Sequence, residues 1–425
     1  MPKKGLQIIA AVVILLYLVN CCTPLRLHVD MIRYFLIKDC MEMGCPPDSD
    51  AAHDYMPLGY TALLITFSKL HILKSWTIVL LNCIYLFAGC WLVRKMFRSS
   101  IHPFFFLILV LLNWCVAKFT THALSEMQYL FFSLASLYTF YRYSENKKVQ
   151  WLLGSFALGG LAFLTRSVGV ALFAGLVSGL GWMYRKELAL LVKKNKILVV
   201  AVILAGIGVV VFSKQLGLDH YTGVFNKATK EKGIGLGTIL QWHFTEWGEM
   251  VWNISSAKVI DHIPFGLGKA FFLLTGILFF AGFVWLLFIR KNQIPFIIKA
   301  YMLWYCLLMF NWPFYDPRFW VPVWPLIAAT VAEAILSSRR EAKDAKGLSL
   351  AGWGKNGLLA LYFALGVVSM GYLTYTSLNR KVFARTQAGG VYRNDYETLF
   401  YGKPLSDTAR TTDPGLVDLL RRYNR

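Results

Sequence analysis

Charge is what this chain has least of. Only 16% of its 425 residues are Asp, Glu, Lys or Arg, against 57% hydrophobic, and the mean hydropathy is +0.51. That scarcity excludes a soluble globular protein, where about a quarter of the residues are charged. Acids are scarcer than bases, 23 against 44, for a formal net charge of +21. A soluble basic domain is missing too, so the excess is read as the Lys and Arg of cytoplasmic loops, and no nucleic-acid partner is expected. There is no CxxC pair, no zinc-type spacing, no internal repeat and no low-complexity run. No Ala-x-Ala-type cleavage site follows the first apolar segment, Leu6 to Cys21, which therefore reads as a retained helix behind Lys3 and Lys4.

Cysteine is sparse and scattered. Of eight, Cys83, Cys90, Cys115 and Cys306 fall in apolar spans and read as small core residues. Cys21 and Cys22 are assigned no role. Cys40 and Cys45 follow the first span closely, and both a disulfide and two free thiols are compatible with their spacing.

What is abundant is long apolar runs. They predict an all-α polytopic membrane protein of about eleven transmembrane helices, with cores near 6–21, 77–94, 103–118, 124–141, 150–165, 168–184, 197–213, 269–289, 295–311, 321–337 and 356–378. Short basic connections, such as Arg94-Lys95, Lys147-Lys148, Arg185-Lys186 and Arg290-Lys291, recur at alternate turns. The positive-inside rule then puts the N-terminus in the cytoplasm and the C-terminus outside. Residues 1–378 form the membrane domain, with external loops 22–76 and 214–268, and residues 379–425 form a short external tail. The stretch Leu58 to Leu73, interrupted by Lys69 and His71, suits a helix lying along the interface. Trp242, Trp247 and Trp252 suit an interfacial belt. The tail reads as either a small ordered cap or a partly disordered segment.

The few charged residues near span ends share one face of this topology. Asp30, Arg33 and Tyr34 lie at i, i+3 and i+4, on one side of a helix. Asp54 precedes a Pro57–Tyr60 turn; Glu126 opens the fourth span; Arg166 lies in the next outer turn; Asp316 and Arg318 lie in another. Each alone reads as a snorkelling or locally paired side chain. Several at one depth are harder to dismiss, because burying each separately is costly. Carboxylates supply a base, and two guanidiniums match a phosphate. Base and phosphate site together at a membrane face point to a lipid-phosphate substrate, such as a lipid-linked sugar.

These residues resemble the GT-C superfamily of integral-membrane glycosyltransferases, in the branch of protein O-mannosyltransferases and lipid A aminoarabinose transferases. That branch has an Asp-Glu-x-Arg-Tyr-like stretch, a Gly, and an acid before Pro-Leu-Gly-Tyr. Here these are Asp30, Arg33, Tyr34, Gly44, Asp54 and Pro57 to Tyr60. Its Ser-Glu, Leu-x-Arg…Gly and Arg-Tyr-x-x-Pro-x-x-Pro elements resemble Ser125-Glu126, Leu164 to Arg166 with Gly169, and Arg318-Phe319 with Pro322 and Pro325. The resemblance runs in order from the N-terminus to about residue 337. It implies a GT-C fold with extracytoplasmic interfacial helices in a bacterial inner membrane, its site facing outward. It also implies transfer of a sugar from a polyprenyl-phosphate donor to a lipid, glycan or protein acceptor. Asp30, Asp54 and Glu126 would be catalytic, with Asp30 as base or acceptor-orienting residue. Arg166 and Arg318 would hold the donor phosphate, with Arg33, Tyr34, Tyr60, Asp316 and Glu249 in support. Two positions depart from the pattern: Met31 replaces the second acid, and Met250 stands where related enzymes place a metal-binding His. A divalent metal ion is left open as a cofactor. His220, His243 and His262 nearby read as ordinary loop or interface histidines. The rival class is a transporter or flippase of a lipid-linked saccharide, which would place its contacts near the midplane; a membrane scaffold is a third.

Overall fold

The computed structural model describes residues 3–54, 56–97, 102–187, 190, 223, 225–231, 233–258, 266–290, 292–344, 350–405 and 411–424. Every regular element among them is helical. In chain order these are α1 (Lys3–Val19), α2 (Val29–Met43), α3 (Leu58–Lys69), α4 (Ser75–Met96), α5 (Pro103–Leu111), α6 (Trp114–Thr120), α7 (Glu126–Asn146), α8 (Val149–Thr165), α9 (Gly169–Met183), α10 (Leu236–Trp252), α11 (Leu267–Val284), α12 (Phe296–Met309), α13 (Trp324–Asp344), α14 (Leu350–Leu378), α15 (Arg380–Thr386), α16 (Arg393–Tyr401) and α17 (Pro414–Tyr423). A π-helical turn, Trp285–Ile289, extends α11, and a 3-10 helix, Pro317–Val323, leads into α13.

Five spans among the described residues are long and apolar enough to cross a membrane: Lys4–Cys22, Ser75–Met96, Leu267–Ile289, Pro317–Ile335 and Asn356–Leu378. Helices α8, α9 and α12 are apolar but shorter. The expected span at 197–213 lies outside the described residues. Large apolar side chains stand outward on these helices; Leu278 is 71% exposed and Val368 67%. Such a surface suits lipid, where backbone groups are satisfied inside helices and apolar side chains cost nothing to expose.

Two segments differ from what the sequence led one to expect. The span at 103–118 is broken: α5 and α6 meet at a 71° bend. Asn113 is the physical reason, because its side chain caps α6 by accepting from the Cys115 and Val116 N–H groups at 3.1 and 3.3 Å. It also donates to the Met250 carbonyl at 3.1 Å. Residues 236–252, placed by the sequence within an external loop, form α10, which packs antiparallel along α11. Gly248 lies against the Phe272 backbone and Gly276 against the Phe244 carbonyl, so the two helices touch backbone to backbone. Trp247 is correspondingly a core residue rather than part of a surface belt: it is buried among Phe279, Phe280, Phe283 and Trp320.

The stretch after α1 carries two helices, α2 and α3, packed on each other. Cys40 and Cys45 are joined in a disulfide at the end of α2, with Cα atoms 4.8 Å apart. The tail is an ordered cap on this stretch. Tyr396 OH donates to the Leu25 carbonyl and accepts from the Leu27 N–H, both at 2.7 Å. Lys38 donates to Tyr423 OH at 2.9 Å, and the Leu25 N–H donates to Asn424 Oδ1 at 2.6 Å.

Candidate active site

The site forms where helix ends converge at one end of the bundle. His28, extended at φ −146°, caps α2 by accepting from the Asp30 N–H at 3.2 Å. That sets Asp30 in the first turn of α2, where the helix dipole favours a carboxylate. One turn later Arg33 clamps Asp54 with both faces of its fork, Nε to Oδ2 at 2.8 Å and Nη2 to Oδ1 at 2.7 Å. Its Nη1 is 3.8 Å from Asp30 Oδ1. Tyr34 donates to Ser125 Oγ at 3.1 Å and meets Tyr60 edge-on with ring centres 4.9 Å apart.

Arg318 is the centre. Asp316 caps the 3-10 helix by accepting from the Arg318 N–H at 3.0 Å, and its Oδ2 lies 2.7 Å from Arg318 Nε. Arg318 Nη2 donates to Asp30 Oδ2, and its Nε is 3.7 Å from Glu126 Oε1. Arg166 donates to the same Glu126 oxygen. Phe319 lies beneath both guanidiniums, 5.1 Å from that of Arg318 and 5.6 Å from that of Arg166. Arg166 is placed by its neighbours in sequence: it terminates α8, and Gly169 lets the turn into α9 close on Phe163. Gly59 approaches the Leu164 and Thr165 backbone, where a Cβ would meet main-chain atoms at 2.7 to 2.9 Å. The Pro57–Tyr60 motif thus has a mechanical meaning: its glycine docks α3 on the end of α8 beside Arg166, and its tyrosine walls the cluster.

Electrostatics keep Asp30 charged. Burial alone would raise the Asp30 carboxyl, but Arg318, with His28 and Arg166, brings it below the usual carboxylate range. Burial and the charge of Arg318 lower His28, which therefore favours the neutral imidazole. Burial raises the Tyr34 phenol to about 12, so it stays a hydrogen-bond donor. Four atoms at the centre are buried without hydrogen-bond partners: Arg318 Nε, which has only its ion pairs with Asp316 and Glu126, Arg318 Nη1, Glu126 Oε2 and the Tyr60 hydroxyl.

Asp30, Glu126, Arg166, Asp316 and Arg318 thus form one charged cluster, with Arg33 and Asp54 linked at its edge and Tyr34 and Tyr60 in its wall. Glu249 stands apart: it accepts from the Ser256 N–H at 2.6 Å and from Tyr315 OH at 2.7 Å, stapling α10 to the chain before Asp316. Two buried residues support the cluster from behind: Glu246, which the sequence reading passed over, and His243, which it took for an ordinary loop or interface histidine. Glu246 accepts from the Asp316 N–H at 2.6 Å and from Trp320 Nε1 at 2.7 Å, and is hydrogen-bonded to His243 Nδ1 at 2.7 Å. His243 Nε2 donates to the Trp312 carbonyl at 2.8 Å. The only sequence signal was the i, i+3 spacing of His243 and Glu246 on one helix face. Met250 is buried, and His220 and His262 lie outside the described residues. Among the described residues no group of three or more His, Cys, Asp or Glu side chains is arranged to hold a metal ion.

Comparison with protein-family models, curated proteins and solved structures finds no match for this chain.

Proposed function

We propose that the chain is a GT-C-type glycosyltransferase of about eleven spans that moves a sugar from a polyprenyl-phosphate donor to a lipid, glycan or protein acceptor at the extracytoplasmic face of a membrane. The observation that carries the reading is Arg318, buried, held by Asp30 and Asp316 and next to the Glu126–Arg166 pair, with Nη1 unpartnered. In this reading Arg318 and Arg166 receive the donor phosphate. The acceptor hydroxyl attacks the anomeric carbon, its proton passes to Asp30, and the bond from that carbon to the phosphate oxygen breaks. The electron pair leaves with polyprenyl phosphate, whose growing charge the two arginines stabilise more in the transition state than in the ground state.

The ion-pair pattern suggests an order of events. Asp30 sits on the guanidinium that the phosphate needs, so an arriving donor displaces it. A displaced Asp30 loses the neighbour that depresses its proton affinity and becomes a stronger base. The position of the cluster at one end of the bundle, rather than midway along the helices, favours this reading over a flippase.

The test is transfer of labelled sugar from a polyprenyl-phosphate donor by the purified protein in lipid. Asp30→Asn is expected to abolish release of polyprenyl phosphate in protein that still expresses and folds cooperatively, with only the loss of stability that removing the Asp30–Arg318 pair entails. Full turnover in that variant, or movement of a lipid-linked saccharide across vesicles without transfer, would sink the proposal.

A further inference from the structure

Beside the cluster lies a cavity of about 380 Å³, walled by Arg26 and His28 before α2, by Lys118 and His122 at the end of α6, and by residues 386–389 of the tail. Its charge is unusual. Arg26 is only 5% exposed, yet its acceptors are neutral: Nη1 donates to Gln387 Oε1 at 2.9 Å and Nη2 to Ser377 Oγ at 2.8 Å. Its Nε has no partner, and no carboxylate among the described residues pairs with it. Lys118 lies exposed on the same wall, its ammonium 5.8 Å from the Trp114 ring and 5.0 Å from the Phe119 ring, again with no acid paired to it among the described residues. Asp316 is the carboxylate on the lining, and it is held by Arg318 at 2.7 Å.

A buried guanidinium without a counter-ion is costly, and the Phe383 ring 4.9 Å from it offsets only part of that cost. The same cost appears as a fall in the Arg26 pKa to about 10, caused by burial. If Arg26 served only to tie the tail to the first loop, a neutral donor would do so without that penalty. Two cations on one cavity wall, one of them fully desolvated, instead form a receptor for an anion. The cavity has room for more than a bare ion, and it shares His28 and Asp316 with the edge of the cluster.

We propose that this cavity binds a phosphate group between Arg26 and Lys118, and, resting on the glycosyltransferase reading, that the phosphate belongs to the acceptor and holds its hydroxyl toward Asp30. Phosphate has the charge to answer both cations on the cavity lining and more than one oxygen to offer them. A lipid headgroup and a free phosphate present the same chemistry here.

The test uses the full-length protein in detergent, with phosphorus NMR line broadening of inorganic phosphate and, separately, of dihexanoyl phosphatidic acid. Wild type is expected to bind at least one. Lys118→Gln, a surface change that should fold normally, is expected to weaken binding about tenfold, as for loss of one charge-assisted bond. Arg26→Lys keeps the charge but loses the planar fork and is expected to weaken it further. Binding of phosphatidic acid alone assigns a lipid-borne group; binding of both assigns the phosphate itself. No binding of either probe, or affinity unchanged in both variants, overturns the proposal. So does binding that is lost only in Arg166→Gln, which would assign the anion to the cluster. Phosphate binding that survives alongside absent sugar transfer would overturn the glycosyltransferase reading and leave the anion site standing.

Discussion

Asp30 owes its depressed proton affinity to Arg318, and that makes its behaviour with pH predictable in sign. The folded value lies below the unfolded one, so the Asp30–Arg318 pair stabilises the protein fully above the ordinary carboxylate range. That contribution is lost as pH falls through the depressed folded value. Arg318→Gln removes the lowering influence and leaves the burial that raises it. The acid limb of kcat/KM is then expected to move to higher pH, and a pH–rate profile reads this directly. A second prediction concerns Gly59, whose missing Cβ lets α3 rest on the end of α8. Gly59→Ala is expected to destabilise by about 1–3 kcal/mol through overpacking and to displace Arg166, lowering donor affinity more than acceptor affinity; separate titrations of the two substrates check it. At this scale the sequence was informative for acids and arginines at span ends, because charge is expensive there whatever the fold. It was uninformative about who pairs with whom. Arg33 and Asp54 meet only because the chain between them folds back, and His243 and Glu246 looked like members of an interfacial stretch because three nearby tryptophans suggested a surface belt.

Helices were legible wherever apolar residues ran long, and illegible where a polar side chain breaks them. Composition marks 103–118 as one span; Asn113 makes it two helices. The break is clamped from the other side by Asn253, which is fully buried with left-handed φ at 57°. Its amide donates to the Leu112 and Tyr362 carbonyls at 2.8 and 2.9 Å, and its oxygen accepts from the Trp114 N–H at 2.6 Å. Asn253→Ala leaves those groups unpaired and adds left-handed strain, so a loss of about 2–4 kcal/mol is expected in thermal or denaturant unfolding. Asn253→Gly removes the same bonds without the strain and is expected to lose less. Helix α10 was hidden for a different reason. Its polar face carries His243, Glu246 and Glu249, so it lacks the uniform hydropathy by which spans are recognised.

For the whole molecule, the topology read from basic connections places the first loop and the tail on one side and the α7–α8 turn on the other. In a Cys22→Ser background, cysteines at Asp50 and Lys403 are expected to react with an impermeant reagent from the same side, and one at Lys147 only from the opposite side. Labelling of all three from one side would dismantle the arrangement. Two sets of glycine contacts bear on how such a molecule could move. Gly59 welds α3 to α8, and Gly248 with Gly276 welds α10 to α11. Each weld fixes one flank of the cluster, the first the end of α8 that carries Arg166, the second the helix that carries Glu246 behind Asp316. The Asp30–Arg318 pair ties α2 to the 3-10 helix, whereas Glu126 and Arg166 sit on α7 and α8, which pack on each other. A ligand that took the place of Asp30 on Arg318 would therefore do more than fill a site: it would remove a tie between α2 and the 3-10 helix while both welds stayed intact.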